Sequence, residues 1–399
     1  MSLLHIDEPL PASTPAPWQM AHPLWRLGFR PFYLLAAVFA ALSIPLWMAR
    51  YFGVLHAARI DAGWHMHEMV FGMVTAVVIG FLFTAARNWT GLWTPVRGHL
   101  AALAGLWLAG RLAMLWAPPE VAAVIDWLFL PLAAWPLLRV MRQSNNKRNY
   151  FLVGLLALLA VANGLFHAAT LGYVGLAQAA PVQAAILVIV IMESAIGTRV
   201  LPMFTRNGAP GTDPVVRPMR DRVSLGLLGA TGLAWVAGLP GWLTAPLALA
   251  AGALVLVRLA GWQPHKVWHV PLLWVMHLSY AWIGVGCFLL AGAALGWLPA
   301  SAAFHALTVG SMAGLILGMI TRTTLGHTGR PLKAGRAEFA MFALIQGGAL
   351  ARVLAALTTD GVRDAALLLS AGCWTVAFVA YVIVYLPYLS SARVDGGAG

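Results

Sequence analysis

The sequence predicts an all-α membrane protein of about twelve spanning helices, and three observations carry that reading. Of 399 residues, 61% are hydrophobic and only 10% charged, where a soluble domain carries about 25% charged residues. The mean hydropathy is +0.80. Apolar runs of roughly 18 residues or more, the length that crosses a bilayer, recur at about 32–50, 65–86, 99–117, 121–141, 150–172, 180–200, 223–240, 243–260, 270–294, 300–322, 336–357 and 365–390. The seventh and eighth are divided only by Pro240 and Gly241. These features exclude a disordered chain, a coiled coil and an ordinary soluble enzyme.

The organisation that follows is a cytoplasmic N-terminal segment (1–31), a twelve-helix transmembrane domain (32–391) and a cytoplasmic tail (392–399). The N-terminus has acids and prolines but no basic n-region or apolar h-region, so the reading keeps it uncleaved. With twelve spans, 20 of the 25 Lys and Arg fall on the side of the termini, the exceptions being Arg50, Arg59, Arg111, Arg352 and Arg363. The positive-inside rule then sets both termini in the cytoplasm. The net charge of +12 lies in short clusters between apolar runs, which argues for lipid headgroups and against nucleic acid. Eighteen Trp fit the same interfaces. Cys287 and Cys373 both sit inside apolar runs, so no disulfide framework or CxxC site is expected.

A weak internal repeat accompanies the spans. The second, sixth and tenth run inward and end alike, with Arg87, Arg206 and Arg322 spaced 119 and 116 residues apart. Three four-helix units in a pseudo-threefold bundle would produce this; so would inward helices that simply end in Arg and Thr.

Ionisable side chains inside a bilayer are costly, and each is a candidate for function. Trp64-His65-Met66-His67-Glu68 opens helix 2 at the outer face. Helical neighbours at i and i+2 point about 200° apart, so His65 and His67 share one metal only if the entry turn is extended, and otherwise serve different sites. Helix 9 carries His265 and His269 one turn apart near the inner interface, and His277 deeper, as a ligand or proton relay. Helix 10 has His305 near its outer end and Arg322 seventeen residues on, with Gly310, Gly314 and Gly318 between them to admit a backbone or a flat ring. Helix 6 offers Glu193, as a proton carrier or an ion-pair partner of Arg199. Arg26 and Arg30 precede helix 1, either as interfacial anchors or to hold an anionic group such as a haem propionate. Histidines on several spans, without Cys ligands, favour haem or copper over structural zinc.

The blocks WRLGFRPFYLL, WHMHEMVFGMVTAVVIGFLFTAARNWTG, GTRVLPMFTRN, LLWVMHLSYAW and HALTVGSMAGLILGMITRTTLGHTGRPL resemble, in this order, the signature blocks of the NnrS family. These are bacterial inner-membrane proteins of the nitric oxide response, reported to contain haem and copper. The resemblance runs from about residue 24 to 388, with conservative departures such as Met203. It implies a role in relieving nitrosative stress, one or more b-type haems with copper as an additional metal, nitric oxide as ligand or substrate, and an electron donor the sequence does not identify. The residues matching the family pattern are His65, His67, Glu68, Arg199, His277, His305, Arg322 and His327.

Three functions compete: a redox enzyme that consumes nitric oxide with Glu68 or Glu193 supplying protons, a non-catalytic haem sensor or metal-protection protein, and a twelve-helix transporter. Depth favours a haem near the outer face held by His305 and one of His65 or His67, the other being free for a second metal or for supporting the first. His277, His327 and His269 complete the candidate ligands, with Arg30, Arg199 and Arg322 as cofactor-binding cations.

Overall fold

The computed structural model describes residues 15–397; the first fourteen residues of the N-terminal segment and the last two of the tail lie outside it. The twelve helices, in chain order, are α1 Phe29–Tyr51, α2 Ala62–Thr90, α3 Arg97–Trp116, α4 Pro119–Gln143, α5 Tyr150–Thr170, α6 Ala179–Gly208, α7 Pro218–Val236, α8 Gly241–Gly261, α9 Pro271–Ala294, α10 Ala300–His327, α11 Arg336–Leu357 and α12 Asp360–Ser390. No strand is present among the described residues. Eleven of the twelve are long and apolar enough to cross a membrane. The remaining one, α7, begins Pro218-Met219-Arg220-Asp221-Arg222, and that charged first turn lowers its hydropathy.

The helices pack largely in chain order around a ring that α12 closes against α1, and α2, α9 and α10 are the most enclosed. The most apolar windows of α2 and α10 are 83% and 78% buried, against 28% for α12. Outward-facing Leu42, Leu108, Leu158, Leu233 and Ile383 are exposed, as lipid contact requires. Since lipid is as apolar as leucine, small residues and polar contacts must hold such helices together. Gly252 of α8 lies so close to α9 that a Cβ there would meet the Gly284 carbonyl at 2.9 Å. The Gly310, Gly314 and Gly318 stripe has the same use: a Cβ at these positions would run into Trp282, Ser279 and Val275 or Met276 of α9. The flat ring it admits is therefore an indole of the protein itself.

Helices α2 and α10 share a feature invisible in composition. Each starts with six α-helical residues, Ala62–His67 and Ala300–His305. Each then passes into a π-helical stretch, Glu68–Val74 and Ala306–Ala313, before returning to α-helix. A π-helical insertion widens the turn and re-aims the side chains ahead of it, and such insertions are frequent at functional sites. In both helices the residue just ahead is a histidine. The third inward helix, α6, is uninterrupted. The entry of α2 is fixed by Asp61, whose side chain accepts a hydrogen bond from the Trp64 N–H at 2.7 Å, a cap worth about 1 kcal/mol. Its exit is the left-handed Gly91, φ +70°.

Candidate cofactor and metal sites

His65 and His67 are both helical, so they diverge as the 200° rule requires. His65 turns toward α1, where its ring stacks on Trp47 with centroids 5.3 Å apart and planes within 6°. It lines a cavity of about 570 Å³ that also contains His305 of α10, Arg352 of α11 and Arg363 of α12. The remaining wall is chiefly apolar, with Met48, Met66, Met69, Met73, Phe304 and Trp374 among its residues.

The two imidazoles present usable nitrogens. The Nδ1 of His305 donates to the Ser301 carbonyl at 2.7 Å, which fixes the tautomer and leaves Nε2 with its lone pair. This is the orientation that metal-ligating histidines usually have. The Nδ1 of His65 is buried with no hydrogen-bond partner, an unmet requirement in an apolar wall. Arg352 reaches only the Ser301 hydroxyl, at 3.5 Å, and Arg363 pairs with its sequence neighbour Asp364 at 3.3 Å.

His67 enters a different environment, a buried polar cluster among α2, α3, α4 and α5. Its Nδ1 is 3.0 Å from Glu68 Oε1, and its Nε2 is 3.1 Å from Asp126 Oδ2 and 3.0 Å from Asn163 Oδ1. Arg111 donates to Glu68 Oε2 at 2.7 Å and also to Asp126 Oδ1. Asn163 donates to Asp126 Oδ2 at 2.8 Å, and His167 Nε2 is 2.9 Å from the same oxygen. All six residues are buried. Both nitrogens of His67 face acceptors only, so with the carboxylates ionised both must donate. A cation in place of the Nε2 proton would satisfy the same oxygens, and ligand atoms of His67, Asp126 and His167 all lie within 4.8 Å of one another.

The π-helical turn is built into this cluster. The Trp107 indole donates to the Gly72 carbonyl at 2.9 Å, and a side chain at Gly72 would collide with the Arg111 guanidinium.

Other expected site residues are placed elsewhere. Glu68 belongs to the ion cluster and Glu193 accepts from Ser311 Oγ at 3.0 Å; neither lines the histidine cavity. Glu193 does not pair with Arg199, which donates to Asn149 at 2.7 Å. His277 stands in the second turn of α9, shallower than expected, with Nδ1 donating to the Leu273 carbonyl at 2.9 Å and Nε2 accepting from Thr205 at 3.0 Å. It is a packed core histidine with both nitrogens engaged. His265 and His269 lie exposed in the segment before α9 rather than on one helical face. Arg30 donates to the carbonyls of Leu389 at 2.8 Å and Ser391 at 2.7 Å, tying α1 to the end of α12. Arg322 and His327 line a second cavity at the opposite end of the bundle.

Asp126, Asn163 and His167 escaped the sequence reading, and Arg111 was noticed only as an outward-side cation. A signal existed for two of them, since Asp126 and His167 are ionisable residues inside spans.

Twelve helices, eleven of them long and apolar enough to cross a membrane, define a multi-pass membrane protein whose two most enclosed helices each carry histidines near one end. The chain belongs to the NnrS family: the family model described as NnrS protein matches residues 23–393, nearly its whole length. That membership makes it a membrane protein of the nitric oxide response. No curated protein matches the chain.

Proposed function

We propose that the cavity shared by α2 and α10 is a b-type haem site, that His305 and His65 would hold the haem there, and that the protein binds nitric oxide at this site and removes it by redox chemistry. The observation that carries this reading is two imidazoles, each with an uncommitted nitrogen, facing one apolar cavity that two arginines also line. A volume of about 570 Å³ falls within the range of about 300–1,000 Å³ typical of cofactor and ligand sites. When bound, the haem supplies an iron that can take up nitric oxide and exchange electrons with it.

The protein's own residues would divide the remaining work. His305, oriented by Ser301, and His65, stacked on Trp47, would hold the haem, His305 the more firmly. Arg352 and Arg363, which line the cavity, would neutralise the haem's carboxylates. The methionine-rich wall excludes water, and nitric oxide, small and apolar, reaches it from the bilayer. His67, Asp126 and His167 would take a second cation, for which imidazole and carboxylate donors suit copper. Electrons would come from an external donor. The distribution of Lys and Arg supports cytoplasmic termini, which would set the histidine cavity toward the outer face of the membrane.

One observation favours a second reading, capture of nitric oxide without turnover. No carboxylate lines the cavity among the described residues, so a reduction that consumes protons lacks an immediate donor there. Optical spectra and haem content of the purified protein test the site. A Soret band lost in His305→Ala supports it, and a full haem complement in that variant contradicts it. Consumption of nitric oxide under reductant then separates turnover from capture.

A further inference from the structure

At the end of the bundle opposite the histidine cavity, the tips of α2, α6 and α10 surround a second cavity of about 700 Å³. Arg87, Arg322, His327 and Arg393 line it together with Trp93 and Phe204. Arg322 is the informative member. It is 8% exposed, its guanidinium lies 3.9 Å from the centroid of the Phe204 ring, and no carboxylate or carbonyl accepts from it among the described residues. Contact with a ring face offsets part of the desolvation and leaves the in-plane N–H donors directed to the cavity that Arg322 lines. A simple interfacial anchor would be solvated. Arg87 lies similarly over Trp93, 4.1 Å from its centroid, with one hydrogen bond to the Gly91 carbonyl. Nearby, Asp395 is held by Arg393 at 2.5 and 2.7 Å.

We propose that this pocket is an anion site for a phosphate-bearing ligand. Guanidinium forks from α2, α10 and the C-terminal tail meet there, and planar forks match the oxygens of phosphate through paired, charge-assisted hydrogen bonds. The volume exceeds that of the bare ion, so the ligand is a phosphorylated small molecule or the headgroup of an anionic phospholipid. This site is independent of the haem reading, since none of its lining residues belongs to the histidine cavity.

The experiment uses the full-length protein in phosphatidylcholine nanodiscs, titrated calorimetrically with glycerol 3-phosphate, and in parallel native mass spectrometry of phosphatidylglycerol retention. Arg322→Gln and the half-buried, more permissive Arg87→Gln are compared with the wild type. Tenfold or greater loss of glycerol 3-phosphate binding in the variants supports a soluble ligand. Selective loss of retained phosphatidylglycerol supports a lipid. The proposal is overturned if neither probe binds the wild type more tightly than Arg87→Gln, the variant that decides alone should Arg322→Gln not fold.

Discussion

His65 and His67 are two residues apart on one helix and have opposite surroundings. His65 faces an apolar cavity, with a ring nitrogen that has no hydrogen-bond partner among the described residues. His67 faces Glu68, Asp126 and Asn163, with both nitrogens engaged. The first environment has room for a ligand and few polar contacts between helices. The second is a network joining four helices, where each member is needed because its neighbours are buried. The difference teaches that a histidine motif in a membrane helix is not one site: at 100° per residue, positions two apart address different neighbours.

This contrast can be broken most forcefully at Arg111. Its removal strands Glu68 and Asp126 as buried charges, and breaking a buried pair in this way costs about 3–5 kcal/mol. Arg111→Ala should therefore fail to accumulate as folded protein, read from membrane yield and thermal unfolding. A variant as stable as the wild type would show the network to be ornamental. Next, His67→Gln should cost about 1–3 kcal/mol through unsatisfied partners while leaving haem content unchanged. A smaller effect, about 1 kcal/mol for the lost hydrogen bonds, is expected for His277→Gln, with a spectrum like that of the wild type. A changed spectrum would return His277 to the ligand set. The smallest effect is at Asp395. Hydrogen bonds from Arg393 hold its carboxyl well below the usual carboxylate range. A depressed folded value means the pair's contribution is fully present above the ordinary carboxylate range and lost only as pH falls through the depressed one. Stability near neutrality should therefore show no pH dependence from this pair, and Asp395→Asn should leave the unfolding temperature unchanged while strengthening anion binding in the pocket that Arg393 lines.

Much of the architecture was legible because a bilayer imposes long apolar runs. The twelve-helix count, the break at Pro240 and the divergence of His65 and His67 all follow from length and angular periodicity. The level of His305 was legible too, since residues counted from a helix start measure depth. What escaped depended on partners across the bundle. Asp126 and His167 lie 59 and 100 positions from His67 in the chain, and no local pattern joins them to it. Arg352 read as one of a few outward cations, although its value lies in facing His65 and His305. The π-helical turns after His67 and His305 have no compositional mark, because they arise where tertiary contacts such as Trp107 on the Gly72 carbonyl stabilise a widened turn. Glu193 and Arg199 erred in the other direction: proximity along α6 suggested a pair, but each found a partner on another segment.

The central claim is that α2 directs one histidine to a cofactor and the other to the scaffold. Haem content of purified His305→Ala, His65→Ala and His67→Gln, measured side by side against the wild type, tests it most directly. Haem should be lost from His305→Ala, lost or weakened in His65→Ala with a shifted Soret band, and retained in His67→Gln. Full haem in both His305→Ala and His65→Ala, or its loss only in His67→Gln, would contradict it.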